Sequence, residues 1–191
     1  MSAIDKSSRT PRFDAGAFVT PANALTLVRM VLTPVMLVLI ASLRHDLGTF
    51  ALWVVLSWTD YFDGILARRF GTTRSGAFLD PLADKFMSLG AMIVLVVKGV
   101  YFWPWVALIA AREIAITVYR SMVGTKGISI PARRSAKWKT FTQQSAVGFS
   151  IMPWVGIHAS WIGHALLIVS MVLTLVSGGQ YFVAARRAQP A

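Results

Sequence analysis

The 191-residue chain contains no cysteine, which excludes a disulfide framework and a thiolate metal site and leaves the redox compartment open. It is also short of negative charge, with eight Asp and Glu against nineteen Lys and Arg, and charged residues make up only 14% of the chain. With 55% hydrophobic residues and a mean hydropathy of +0.61, this scarcity is not the balance of a soluble globule, and a membrane protein is the first expectation. There is no low-complexity tract and no convincing internal repeat, so an inverted-repeat transporter is not encouraged. No cleaved signal peptide is expected either. The first strongly apolar run starts near Ala24, behind Lys6, Arg9 and Arg12, carries Arg29 inside it and reads as a retained span.

What is present is a series of six apolar segments, at about 23–43, 47–67, 77–98, 102–123, 138–158 and 161–183, each near the roughly 20 residues a helix needs to cross the hydrocarbon. They lack barrel-type alternation, and an open sheet cannot span lipid, so the expected fold is an all-α integral membrane protein of six transmembrane helices. Short links make neighbouring helices antiparallel. Residues 1–20 form a cytoplasmic segment, either an interfacial helix or a frayed tail; 21–185 form the helical domain and 186–191 a cytoplasmic tail. With both ends on the cytoplasmic side, that side holds fourteen of the Lys and Arg residues, and the opposite loops hold only Arg44 and Lys98. The excess of eleven positive charges therefore reports topology and anionic-lipid contact, and no nucleic-acid partner is expected. Tyr101, Phe102, Trp103 and Trp105 mark the far interface as an aromatic belt.

The acids are few, yet Asp60, Asp63, Asp80 and Asp84 fall in one window, Asp-x2-Asp-Gly-x2-Ala-Arg, seven residues, then Gly-x3-Asp-x3-Asp. On a helix, Asp60, Asp63, Gly64 and Ala67 fall within an arc of about 100°. Gly76, Asp80 and Asp84 form a second stripe at successive four-residue steps. The short link between them brings four carboxylates together at the cytoplasmic ends of two helices. At roughly 2.5–3.5 kcal/mol per acid at a helix centre, four uncompensated carboxylates approach ~10 kcal/mol, a cost that decoration does not survive. Crowded carboxylates raise one another's pKa unless a cation intervenes. Hard oxygen donors without His or Cys favour Mg²⁺ or Mn²⁺, whose shell is normally completed by water and substrate phosphate. Gly64, Ala67 and Gly76 either let the helices pack closely or leave room for a flat ligand.

This window resembles the signature of the CDP-alcohol phosphatidyltransferases, six-helix membrane enzymes that move a phosphatidyl or related group from a CDP-linked donor onto an alcohol. The family usually has eight residues between the Ala-Arg pair and the glycine; seven here shorten the loop beside the nucleotide. The resemblance implies that Asp60, Asp63, Asp80 and Asp84 hold two divalent metal ions, with Asp84 at the second ion also the general base. It further implies that Asn23, Thr26, Gly64, Ala67, Arg68, Thr73 and Gly76 line the CDP site. By itself, Asn23 reads equally well as a helix cap.

For the acceptor, two readings of Arg112 stand side by side: a pair with Glu113 or another acid, or a cation facing a polar cavity that receives an anion. The basic stretch 126–139 is a positive-inside or anionic-lipid signal as a block, while individual lysines can bind phosphate. The sequences Arg-Glu-Ile-Ala-Ile-Thr from Arg112, Lys-Trp-Lys-Thr from Lys137 followed by Gln143, and Asp-Pro-Leu-Ala-Asp-Lys from Asp80 resemble the phosphatidylglycerophosphate synthase branch. That implies transfer of the phosphatidyl group of CDP-diacylglycerol to sn-glycerol 3-phosphate, with Arg112, Lys137 and Lys139 on the acceptor's phosphate. It also implies a homodimer in a bacterial inner membrane, with its active site on the cytoplasmic side. The alternatives are the same chemistry on inositol phosphate, or on phosphatidylglycerol as in a cardiolipin synthase, and, from another class, a divalent-cation transporter.

Overall fold

The computed structural model describes residues 21–70, 74–124 and 134–187, with side chains described over 23–59, 79, 81–119 and 138–179. The sequence-predicted interfacial segment 1–20 lies outside the described residues. The apolar runs fold as helices, seven among the described residues, and no strand occurs among them. These are α1 (Pro21–Ala41), α2 (Leu47–Phe70), α3 (Arg74–Val97), α4 (Trp103–Gly124), α5 (Arg134–Ile151), α6 (Val155–His158) and α7 (Trp161–Arg187). Asn23–Ala41 and Trp161–Gly179 are long and apolar enough to cross a membrane, and Leu47–Thr59 is a shorter apolar stretch.

Local chemistry sets the helix ends. Pro21 opens α1, where a missing N–H costs nothing. Asp46 caps α2: its Oδ1 accepts the Thr49 backbone N–H at 2.7 Å and its Oδ2 the Thr49 hydroxyl at 3.2 Å. The bond from the Thr49 backbone, with smaller help from the Thr49 hydroxyl, Gly48 and Arg44, outweighs desolvation and holds the half-buried Asp46 carboxyl below its usual range. After α3, Gly99 adopts φ +73°, and the Val100 N–H closes onto the Leu95 carbonyl at 2.8 Å. The fifth apolar segment differs from its expected 138–158. Its helix starts at Arg134 and stops at Ile151, because Pro153 has no N–H to continue the ladder and Trp154 turns to φ 66° before the single turn of α6.

Packing is most extensive between α5 and α7, then between α1 and α3 and between α1 and α2. Gly163 on α7 makes the α5–α7 approach: a Cβ there would lie 2.1 Å from Ser150 Oγ and 3.3 Å from the Ala146 carbonyl. The helices are polarised inside out. Large apolar residues such as Val31, Val38, Val97, Phe141 and Val172 face outward, while Asn23, Thr26, Arg29, Thr33, Glu113, Lys139, Gln143, Ser170, Thr174 and Ser177 are buried. That inversion is the pattern of a protein whose solvent is lipid.

The buried faces are also polarised along the bundle. On α1 the inward stripe runs Asn23, Thr26, Arg29, Thr33 and then Met36 and Ile40; on α5 it runs Lys139, Gln143 and then Ala146, Val147 and Ile151. The apolar ends meet in one core, which includes Met36, Ile40, Trp53, Leu56, Met87, Leu95, Ile109, Val147 and Leu167. The expected belt differs in two members, since Trp105 is half-buried against the core and Tyr101 is buried. Phe102 and Trp103 are exposed, but Tyr101 turns inward, its hydroxyl 2.9 Å from Ser150 Oγ, since a buried phenol takes a hydrogen-bond partner.

Candidate active site

The window of acids lies where the sequence spacing requires. Helix α2 runs unbroken through Asp60, Asp63, Gly64, Ala67 and Arg68, and α3 through Gly76, Asp80 and Asp84. The faces inferred from helical spacing therefore exist. The side chains of Asp60, Asp63, Asp80 and Arg68, and the surroundings of Gly64, Ala67 and Gly76, lie outside the described residues, as does Thr73 entirely.

Asp84 is half-buried, and its Oδ1 accepts a hydrogen bond from Gln144 Nε2 at 3.4 Å, which ties α3 to α5. Asn23 and Thr26 are buried on the inner face of α1, which packs against both α2 and α3. Asn23 sits within the first turn of α1, not ahead of it, so it is not the cap of that helix. Arg29, one turn below Thr26, is fully buried, and its Nε reaches Thr59 Oγ1 at 3.3 Å, next in sequence to Asp60.

A second charged cluster forms where α4, α5 and α7 meet. Glu113 Oε1 accepts from Arg112 Nη1 at 3.0 Å and also from the Lys139 ammonium. Arg112 Nη2 donates to Ser177 Oγ at 2.7 Å. Gly178 gives the guanidinium room, since a Cβ there would lie 3.2 Å from Arg112 Nε. Lys85 and Asp84 lie within electrostatic range of the cluster, so α3 borders it. Two cations share one carboxylate, which leaves one positive charge in excess. Among the described residues, Arg112 Nε and Gln143 Nε2 are buried donors without a hydrogen-bond partner. The structure thus joins two of the expected acceptor residues, Arg112 and Lys139, through Glu113. Lys137 lies on α5 with its side chain outside the described residues.

Three contributors escaped the sequence reading: Gln144, Arg29 and the link from Glu113 to Lys139. The pair of adjacent amides at 143 and 144 on α5 was the available signal for Gln144. Nothing local pairs Glu113 with a residue 26 positions away.

A family model for CDP-alcohol phosphatidyltransferase matches residues 19–176. The chain belongs to the CDP-alcohol phosphatidyltransferase family. It is similar to a Mycobacterium tuberculosis protein named probable phosphatidylglycerophosphate synthase, 36% identical over 173 residues that cover 87% of this chain and 81% of the relative. It is also similar to two proteins named CDP-diacylglycerol–glycerol-3-phosphate 3-phosphatidyltransferase. The Rickettsia felis protein is 34% identical over 174 residues, covering 86% of this chain and 94% of the relative. The Shigella flexneri protein is 41% identical over 172 residues, covering 85% and 92% respectively.

CDP-alcohol phosphatidyltransferases generally use divalent metal ions. The chain offers such ions hard oxygen donors of the right chemistry, Asp60 and Asp63 on α2 and Asp80 and Asp84 on α3.

Proposed function

We propose that this family member transfers the phosphatidyl group of CDP-diacylglycerol to sn-glycerol 3-phosphate, giving phosphatidylglycerophosphate and CMP. The observation that carries the reading is the place of Asp84 beside the Arg112–Glu113–Lys139 cluster. Asp84 is hydrogen-bonded to Gln144 of α5, the helix that carries Lys139, and lies within electrostatic range of the Lys139 ammonium. The names of the relatives support the same acceptor.

In this reading Asp60, Asp63, Asp80 and Asp84 would hold two Mg²⁺ or Mn²⁺ ions, which would supply charge neutralisation on the donor diphosphate and the departing CMP. Asn23, Thr26, Gly64, Ala67, Arg68, Thr73 and Gly76 line the CDP site. Arg112, Lys137 and Lys139 hold the acceptor's phosphate and so position its hydroxyl. The Asp84 carboxylate takes the hydroxyl proton as the oxygen bonds to the phosphorus bearing diacylglycerol. The bond from that phosphorus to the CMP oxygen breaks, and CMP leaves with the electron pair. The reading favours direct transfer over a covalent phosphatidyl-enzyme.

The reading places 21–185 in the inner membrane as six spans, with the site on the cytoplasmic side. It pairs two copies through apolar faces of α3 and α4 that include the exposed Phe86, Ile93, Ile114 and Val118.

The test is incubation of membranes with labelled CDP-diacylglycerol and, separately, sn-glycerol 3-phosphate, inositol phosphate and phosphatidylglycerol. Metal-dependent CMP release with phosphatidylglycerophosphate formed only from the first acceptor is expected. Turnover confined to either other acceptor moves the chain to another branch, and divalent-cation uptake into proteoliposomes without CMP release points to a transporter.

A further inference from the structure

We infer that Gln144 is a positioning residue that holds the Asp84 carboxylate in the orientation needed for proton removal. The inference rests on the reading of Asp84 as the general base.

The Gln144 carboxamide is engaged at both ends. Its Oε1 accepts from Ser57 Oγ at 3.3 Å, and its Nε2 donates to Asp84 Oδ1 at 3.4 Å. The chemistry fixes which way the amide points. An ionised carboxylate only accepts, so nitrogen must face Asp84, while the rotatable Ser57 hydroxyl donates to the oxygen on the other side. The reversed amide would set oxygen against oxygen at Asp84.

The backbone of Gln144 is anchored as well. The Trp53 indole N–H donates to its carbonyl at 3.2 Å, and Trp53 is itself buried. Gly148, one turn further along α5, leaves space for that indole: a Cβ there would lie 3.2 Å from Trp53 Nε1. Two residues of α2, one turn apart, therefore set the position and the orientation of one α5 side chain, which in turn holds one oxygen of the α3 acid.

The relay joins α2, α3 and α5, and so couples the helices that carry the metal-binding acids to the helix that carries Lys139. Long hydrogen bonds of this kind tighten when substrate is bound. Partners of a metal-binding carboxylate orient it, and their loss typically costs about 10–100-fold in activity or metal affinity.

The test uses the full chain in nanodiscs with CDP-diacylglycerol and sn-glycerol 3-phosphate. Gln144→Leu should lower kcat about tenfold, with both KM values within twofold of the parent's. Gln144→Glu, which sets a second carboxylate against Asp84, should lower kcat further than the leucine variant. Ser57→Ala should lower it about threefold, and the double variant Ser57→Ala/Gln144→Leu should equal Gln144→Leu, because Ser57 acts only through the amide. Mn²⁺ affinity, read by electron paramagnetic resonance without substrate, should weaken about tenfold in Gln144→Leu.

A kcat and a Mn²⁺ dissociation constant both within twofold of the parent's overturn the inference. So do effects of the two single variants that multiply. If Gln144→Leu does not fold, Ser57→Ala decides: parental kcat overturns the inference, and a threefold loss at constant KM sustains it. Asp84→Asn separates the two readings. Full activity in that variant removes the base itself, whereas an inactive Asp84→Asn beside a fully active Gln144→Leu removes only the positioning role.

Discussion

The two ends of the bundle use the same helices for opposite purposes. At the site end the inward faces carry Asn23, Thr26, Arg29, Asp84, Glu113, Lys139, Gln143, Thr174 and Ser177, and the contacts between helices are hydrogen bonds and ion pairs. At the far end the inward faces carry Met36, Ile40, Trp53, Met92, Leu95, Val106 and Leu167, packed into one apolar core. The outward faces carry large apolar residues at both ends. On the proposed function, the difference lies in what each interior would hold: side chains alone at the far end, a charged diphosphate and its counter-ions at the site end. A polar interior is costly in a membrane, and it persists where ligands and internal ion pairs compensate it.

That contrast can be broken most severely at the acids. Asp80→Asn or Asp63→Asn should lower metal-dependent CMP release by at least about 100-fold while leaving the protein in the membrane, since several kcal/mol of charge stabilisation are lost. Full activity in either variant removes that residue from the mechanism.

Glu113→Ala strips the carboxylate from between Arg112 and Lys139. Breaking a buried pair at one partner destabilises by about 3–5 kcal/mol, read as a fall in thermal stability in detergent. A neutral outcome would show that water, not Glu113, compensates the two cations. At the far end Leu95→Ala should destabilise by about 2–4 kcal/mol through the cavity it leaves, with both KM values unchanged. A change in either KM would mean that the apolar core shapes the site directly.

Arg112→Ala should raise the KM for glycerol 3-phosphate by roughly 10–100-fold, the value of a charged hydrogen bond, and leave that for the CDP donor nearly constant. Equal effects on both substrates would make Arg112 only a partner of Glu113 and Ser177.

The smallest effect belongs to Asp46, outside both interiors. Its folded-state carboxyl lies below its ordinary value of 3.8, so its capping contribution is fully present above that pH and is lost as pH falls through the folded value. The stability gap between the parent and Asp46→Ala, followed by thermal melts, should stay constant from pH 8 to 5 and close only in stronger acid. A gap that closes near neutral pH would assign the effect to another group.

Much of the fold was legible because membrane helices announce themselves locally. Length and apolarity located five long helices within a few residues of their ends, except that α2 and α7 run further at their C-terminal ends and α3 begins slightly earlier. The fifth was displaced, since apolar residues continue past Ile151 while Pro153 and Trp154 end the helix, and hydropathy does not register a missing N–H. The helices that carry the acid window were legible because its residues sit within 25 positions in two apolar segments of helical length. The acceptor side was half legible. Arg112 and Glu113 are adjacent, so their pairing could be weighed from sequence, but the bond from Lys139 to Glu113 crosses from α5 to α4 and depends on helix register. Gln144 was not legible as a partner of Asp84, 60 residues away, because an amide in a helix carries no mark of its neighbour.

By itself, the sequence determined that the chain is helical and rich in long apolar segments, and that Asp60, Asp63, Asp80 and Asp84 fall on two consecutive helices. Those properties follow from composition and from the 3.6-residue period. Only the tertiary structure decided that Lys139 and Arg112 share Glu113, that Asn23 lies inside α1 rather than capping it, and that Ser57, Gln144 and Asp84 form one relay. Each of those depends on the distances between helices far apart in the chain, or on where a helix starts, and packing settles these where local periodicity is silent.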